Sequence, residues 1–188
     1  LNYTPQKNTN VRRIISMKKI MSLLLGLMVL SIAAIASANY PSYLNGDKNY
    51  ILVDGHMGTA WYVDRSSLKV QKYAPPEYII DVNVVTARSA IDDERDFYEG
   101  GQGVIVSIME YRFNYNWDTR RMYQDSYGKL DYLDPWGSWA ASGIRMPAGE
   151  MAFYLAYKLK FYGDMKKYSK YTNSYYGPFS DDFYKLAN

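Results

Sequence analysis

The segment that most limits what this chain can fold into is the apolar run from Ile20 to Ala36, interrupted only by Ser22, Gly26 and Ser31. Met17, Lys18 and Lys19 precede it, and Ala36-Ser37-Ala38 closes it. A positive start, an apolar stretch and small residues in an A-x-A arrangement predict a secretory signal peptide over 17–38, cut before Asn39. The run is borderline for a permanent span, which needs about 20 mostly apolar residues. The small-residue ending and the turn-rich Asn39-Tyr-Pro-Ser-Tyr43 after it favour removal over anchoring. Residues 1–16 are polar and mixed, and read as an extended leader or a start assigned too early.

Removing the leader changes the charge. Of 22 basic residues, five (Lys7, Arg12, Arg13, Lys18, Lys19) precede the cut, leaving 17 against 19 acidic, a net of −2. A nucleic-acid role rests on excess positive charge and is not expected. The remaining 150 residues suffice for one domain with its own core. The chain has no cysteine and one histidine, His56. That excludes thiolate chemistry, disulfides and a multi-histidine metal site within one chain. No cofactor and no metal are expected.

The fold is predicted from periodicity. Tyr50–Val53 and Thr59–Asp64 read as strands around a turn at Asp54–Gly58, with Trp61 and Val63 facing one way and Tyr62 the other. Ser66–Tyr73 reads as another short strand, stopped by Pro75-Pro76. The β-branched Tyr78–Ala87 segment is a strong strand, and the acidic 92–99 stretch with Gly100–Gly103 reads as a surface loop. Val104–Asn114 is the longest strand signal. Its first half is apolar at both parities and so is expected to be buried on both faces. Arg120–Gln124 and Leu130–Leu133 read as strands around a turn at Tyr127-Gly128-Lys129, and 134–147 as irregular. Met151, Tyr154, Leu155, Lys158, Leu159 and Tyr162 recur at three and four, predicting a helix over Glu150–Tyr162 stopped by Gly163. The expected class is α+β: a single antiparallel β-sheet domain over 50–163 with one packed C-terminal helix. A flexible lead-in (39–49) would precede it, and a polar tail (164–188) with a short helix capped by Ser180 would follow.

Several groups bear on chemistry. His56 with Asp54 or Asp64, and Ser66 or Ser67 as nucleophile, are the only sharp hydrolase candidates. No nucleophile elbow marks a serine, so no catalytic residue is expected. Asp92, Asp93, Glu94, Asp96 and Glu99 lack the spacing of a calcium loop. Twenty of the 21 tyrosines follow the cut, which suits either a sheet packed with tyrosine or an aromatic binding surface. Trp136, Trp139 and Tyr132, in and beside Asp134-Pro-Trp-Gly-Ser-Trp139, are the expected binding residues, able to stack on sugar rings or anchor an interface.

Trp61-Tyr62-Val63-Asp64 followed by Ser66-Ser67-Leu68 resembles the opening of the bacterial surface-adhesin protein E-like domains. The order of the strand at 79–85, the long strand at 104–113, the Gly128 turn after Tyr123-Gln-Asp125, and Trp139 ahead of a helix near 150 also matches. The resemblance spans roughly 50–162, and this chain lacks the cysteine pair that relatives often carry. It implies a small exported or surface protein. The expected function is a secreted or cell-envelope binding protein, adhesin-like, whose partner is an envelope or host surface protein or a glycan. It would be located in the periplasm or at the cell surface. A structural or accessory envelope protein and a small secreted hydrolase are the alternatives.

Overall fold

The computed structural model describes residues 40–188; the leader, its cleavage site and residues 1–16 lie outside the described residues. Six strands form one antiparallel sheet in sequence order: β1 (Tyr50–His56), β2 (Thr59–Ala74), β3 (Glu77–Ser89), β4 (Gly103–Asn116), β5 (Arg121–Ser126) and β6 (Lys129–Tyr132). Two of the three two-residue turns follow from residues that accept positive φ. Met57 (φ 51°) and Gly58 (φ 74°) join β1 to β2, and Tyr127 (φ 55°) and Gly128 (φ 86°) join β5 to β6. Two successive positive-φ residues match the right-handed twist of a hairpin. β2 is one strand rather than two. In place of the expected break between Asp64 and Ser66 there is a register shift between Asp64 and Lys69, held by Ser67 Oγ, which donates to the Asp64 carbonyl and accepts the Asn83 N–H.

One face of the sheet carries Ile51, Val53, Val63, Tyr78, Ile80, Val82, Val84, Phe113, Tyr115 and Met122. Helix α3 (Arg145–Tyr157) lies over it. The predicted helix is therefore displaced: it starts five residues earlier than Glu150 and ends at Tyr157, where Lys158 turns left-handed (φ 57°). Pro147 and Gly149, which look like breakers, are both inside it. Pro147 sits in the first turn, where its missing N–H leaves nothing unpaired. Gly149 is where helix meets sheet: a Cβ there would run into Met122 Sδ and crowd Phe113. The Tyr115 hydroxyl donates to the Gly149 carbonyl, 2.8 Å, across that approach.

Among the described residues the opposite face is covered only at one end. Tyr40, Leu44 and Phe97 pack there on Ala60, Tyr62, Val85 and Ala87. The expected surface loop at 92–99 is partly the helical turn α1 (Glu94–Tyr98). Asp93 caps it by accepting the Arg95 N–H, and it buries Phe97 completely. The expected lead-in is likewise packed, with Tyr40 and Leu44 buried. At the other end of the chain come a small hairpin, β7 (Lys167–Ser169) and β8 (Ser174–Tyr176), and a short helix at Asp181–Lys185. Ser180 precedes that helix but makes no side-chain cap bond. Phe161, Tyr162, Tyr184 and Ala187 are buried, so the tail contributes to the core and α3 is not the only packed helical element. The architecture is an antiparallel sheet with several helices. The tyrosines divide between core and surface: Tyr40, Tyr62, Tyr78, Tyr115, Tyr162 and Tyr184 are buried, while Tyr73, Tyr127, Tyr132, Tyr168, Tyr171, Tyr175 and Tyr176 are exposed.

The uncovered half of that second face holds one buried charge. Asp81 is 3% exposed and accepts two parallel bonds from Arg112 (Nε to Oδ1 and Nη2 to Oδ2, 2.7 Å each) and one from Gln71 (2.9 Å). The Arg112 guanidinium holds the carboxyl below its usual range against the opposing effect of burial. Arg112→Ala leaves the carboxylate without its cation and is expected to lower the unfolding free energy by about 2 kcal/mol at neutral pH, moderated because the arginine is half exposed. The pair's contribution is present above the unfolded aspartate's pKa and is lost as pH falls through the depressed folded value. Urea unfolding as a function of pH checks this: the variant's stability should fall less steeply in acid than the wild type's.

Candidate binding surface

After β6 the chain crosses to the face that carries α3. A short helix, α2 (Trp139–Ser142), forms there before Gly143 and leads into α3. Trp139 is 50% exposed yet fixed. Its Nε1 donates to Asp54 Oδ2 at 2.6 Å, and its ring stands at 72° to the His56 ring with centroids 4.4 Å apart. Trp61 backs the imidazole at 5.1 Å. Together Trp61, Tyr111, Trp139, Ile144 and Arg145 line an open cleft of about 260 Å³, room for one ring-sized group. Arg145 is held at its rim by the Ala141 and Ser142 carbonyls, Gln124 Oε1 and Asp131. A large aromatic held in place by a second polar contact loses little conformational entropy on binding, which is the physical basis of tryptophan anchors.

No family model matches the chain, and no curated protein or solved structure matches it. Its site therefore rests on its own geometry. The three expected binding residues are not gathered into one place. Trp139 lines the cleft. Trp136 is half-buried against Tyr176 (5.6 Å, edge-on), with Lys167 Nζ 5.7 Å from its ring. Tyr132 pairs with Tyr123 on the opposite face of the sheet (5.5 Å), under Arg121. Tyr123 and Arg121 border a separate groove of about 430 Å³ with Lys72, Ile79, Asn114 and Leu130. Trp61, Tyr111, Asp54 and Arg145 escaped the sequence reading as binding residues. The alternation that places Trp61 and Val63 on one face was the only signal, and it pointed equally to core.

The hydrolase constellation is not assembled. Asp54 is engaged by the Gly55 N–H and by Trp139, and Asp64 by the Ser66 N–H and hydroxyl. Both His56 nitrogens are buried and make no hydrogen bond to any of these groups. Within the acidic 92–99 stretch, Asp93 serves as a helix cap and pairs with Arg95.

Next to the cleft, β4 departs from expectation. Val104, Ile105, Val106, Ile108 and Met109 are 43–56% exposed, where burial on both faces was predicted. The cause is topological. β3 pairs with β4 from Gly103 to Asn116, but β5 reaches only Arg112–Asn116. Among the described residues this half has one strand neighbour, and neither core cluster extends over it.

Proposed function

We propose that this chain is an exported, non-enzymatic binding protein of the cell envelope or surface, and that Trp139 is its principal contact. The observation that carries this reading is an exposed tryptophan pinned by Asp54 and His56 over an open cleft, with no assembled catalytic group beside it. The cleft fits a flat group with an apolar face, such as a sugar ring of a surface glycan or an aromatic side chain of a matrix protein. The likeness of Trp61–Leu68 to the surface-adhesin protein E-like domains supports an adhesive role.

The test is tryptophan-fluorescence titration against envelope and host-matrix glycans and matrix proteins, followed by Trp139→Ala. The variant is expected to bind the ligand found at least tenfold more weakly, as loss of an interface anchor does, with an unchanged far-UV spectrum. Failure of every panel member to saturate at high micromolar protein, or full affinity in the variant, would overturn the proposal. Fractionation with protease shaving of intact cells, and the mass of the mature chain, test export; the expected start is Asn39.

A further inference from the structure

Among the described residues the large sheet has four edge stretches, and they are not alike. β1 is covered by the preceding loop: Tyr43 bridges to Ile51, and the Leu52 N–H donates to the Ser42 carbonyl. The outer side of β2 beyond Asp64 carries Arg65, Lys69 and Lys72, and β6 carries Lys129 and Asp131. Charged side chains on an edge strand oppose pairing with another chain. The free part of β4 is the exception. From Val104 to Met109 it is apolar except for Ser107, with no charge and no proline.

Both ends of this open stretch are defined. At one end the Asn45 side chain takes the Gly103 N–H and carbonyl, 2.9 Å each, closing the ladder there. At the other end the β5–β6 turn, Ser126–Gly128, stands beside Met109–Arg112 around a groove of about 540 Å³ and blocks any strand from running further. Val104–Glu110 is what remains, and its midpoint is Ser107. Val106 is an extra residue against β3, because Thr86 pairs with Ser107 and Ala87 with Ile105. This bulge is the one blunting device on the stretch, and it is filled by valine.

We infer that this edge is an interface for a second copy of the same chain, with the two β4 strands pairing antiparallel about a twofold axis at Ser107. That register uses the whole open stretch of both copies. It sets Ser107 opposite Ser107, Val106 opposite Ile108, Ile105 opposite Met109 and Val104 opposite Glu110. No two like charges meet, and the unpaired backbone groups of each edge find partners. A twofold contact closes on itself, so association stops at two. The pairing removes on the order of 400 Å² per copy, roughly 800 Å² in all, below a standard interface. The dimer is therefore reversible, with dissociation expected in the micromolar range.

Sedimentation velocity of the processed chain, beginning at Asn39, from low to high micromolar should show a concentration-dependent monomer–dimer equilibrium. Val106→Lys should weaken it at least tenfold with an unchanged far-UV spectrum, since Val106 is 51% exposed and not part of the core. Val70→Lys, at a comparably exposed position on β2, should leave it intact. Because the chain has no cysteine, Ser107→Cys reports the register: mild oxidation should yield a linked dimer, and Ser174→Cys on β8 should not. A wild type that stays monomeric, one that grows without stopping at two, a dimer that survives Val106→Lys, or no cross-link at position 107 would each overturn the inference. Ligand loss in Trp139→Ala speaks to the cleft alone, because Trp139 lies outside the paired stretch.

Discussion

Replacing Glu150 by alanine is expected to lower the unfolding free energy by about 4 kcal/mol. Glu150 sits on α3, fully buried. Its Oε2 accepts the Tyr162 N–H (2.8 Å), and its Oε1 accepts the Tyr184 hydroxyl (2.7 Å) and the Gly163 N–H (3.3 Å). One side chain thus ties the helix to the segment after it and to the last helix. Alanine strands three buried donors, each of which costs roughly 1–3 kcal/mol when left unpaired. Burial pushes the Glu150 pKa up, and the donors only partly oppose this. For an acid raised on folding, stability is fully present below the unfolded pKa and declines as pH rises through the folded one, the reverse of Asp81. Urea unfolding from pH 4 to pH 8 should therefore show a decline in the wild type that is absent in Glu150→Ala. Glu150→Gln keeps one acceptor and should fall between the two. A loss below about 1 kcal/mol in the alanine variant would mean that the three donors find other partners.

Phe153→Ala is expected to be comparably damaging, at about 4 kcal/mol. The ring is fully buried at the centre of an aromatic cluster. It stands edge-on to Tyr78 (5.3 Å), lies parallel to Trp117 (5.7 Å, 16°), and meets Tyr115, Tyr157 and Phe161 at 4.9–5.0 Å. Truncation removes the transfer energy of a phenyl group and the geometry-dependent part of several ring contacts, and leaves a cavity that rigid neighbours cannot fill. Phe153→Leu should recover more than half of the loss. Thermal unfolding followed by near-UV circular dichroism checks both, because the packed tryptophans and tyrosines, Trp117 among them, lose that signal when the core opens. Equal losses in the two variants would show that ring geometry rather than filled volume carries the contribution.

The strands were legible because alternation and β-branching report directly on a pleated, half-buried surface. Ile80, Val82 and Val84 behave as their spacing requires. The helix boundary was not, because Pro147 and Gly149 both read as breakers: the proline is tolerated in a first turn, and the glycine has a tertiary role, admitting Met122. The exposed half of β4 was misread because an apolar run carries the same signature whether it has two neighbours or one. Which applies is decided by where β5 ends, and Val104–Met109 contain no trace of that. The cleft was legible at Trp139 alone. Its partner Asp54 is 85 residues away in sequence, and only the meander brings the two within hydrogen-bonding distance.

That meander has a temporal side. Every hydrogen-bonded neighbour in the large sheet is also the neighbour in sequence, so a chain emerging amino end first can add each strand to the one made just before it, closing only short loops. The cover for the larger core does not come in that order. Phe153, Phe161, Tyr162 and Ala187, which complete it, all lie after the sixth strand. A chain halted before Arg145 would carry a finished ladder with one bare apolar face, a species prone to stick to others like it. Completion of the last quarter of the chain therefore separates a covered core from an aggregation-prone intermediate, and the interval before it is when such a chain would most need an escort.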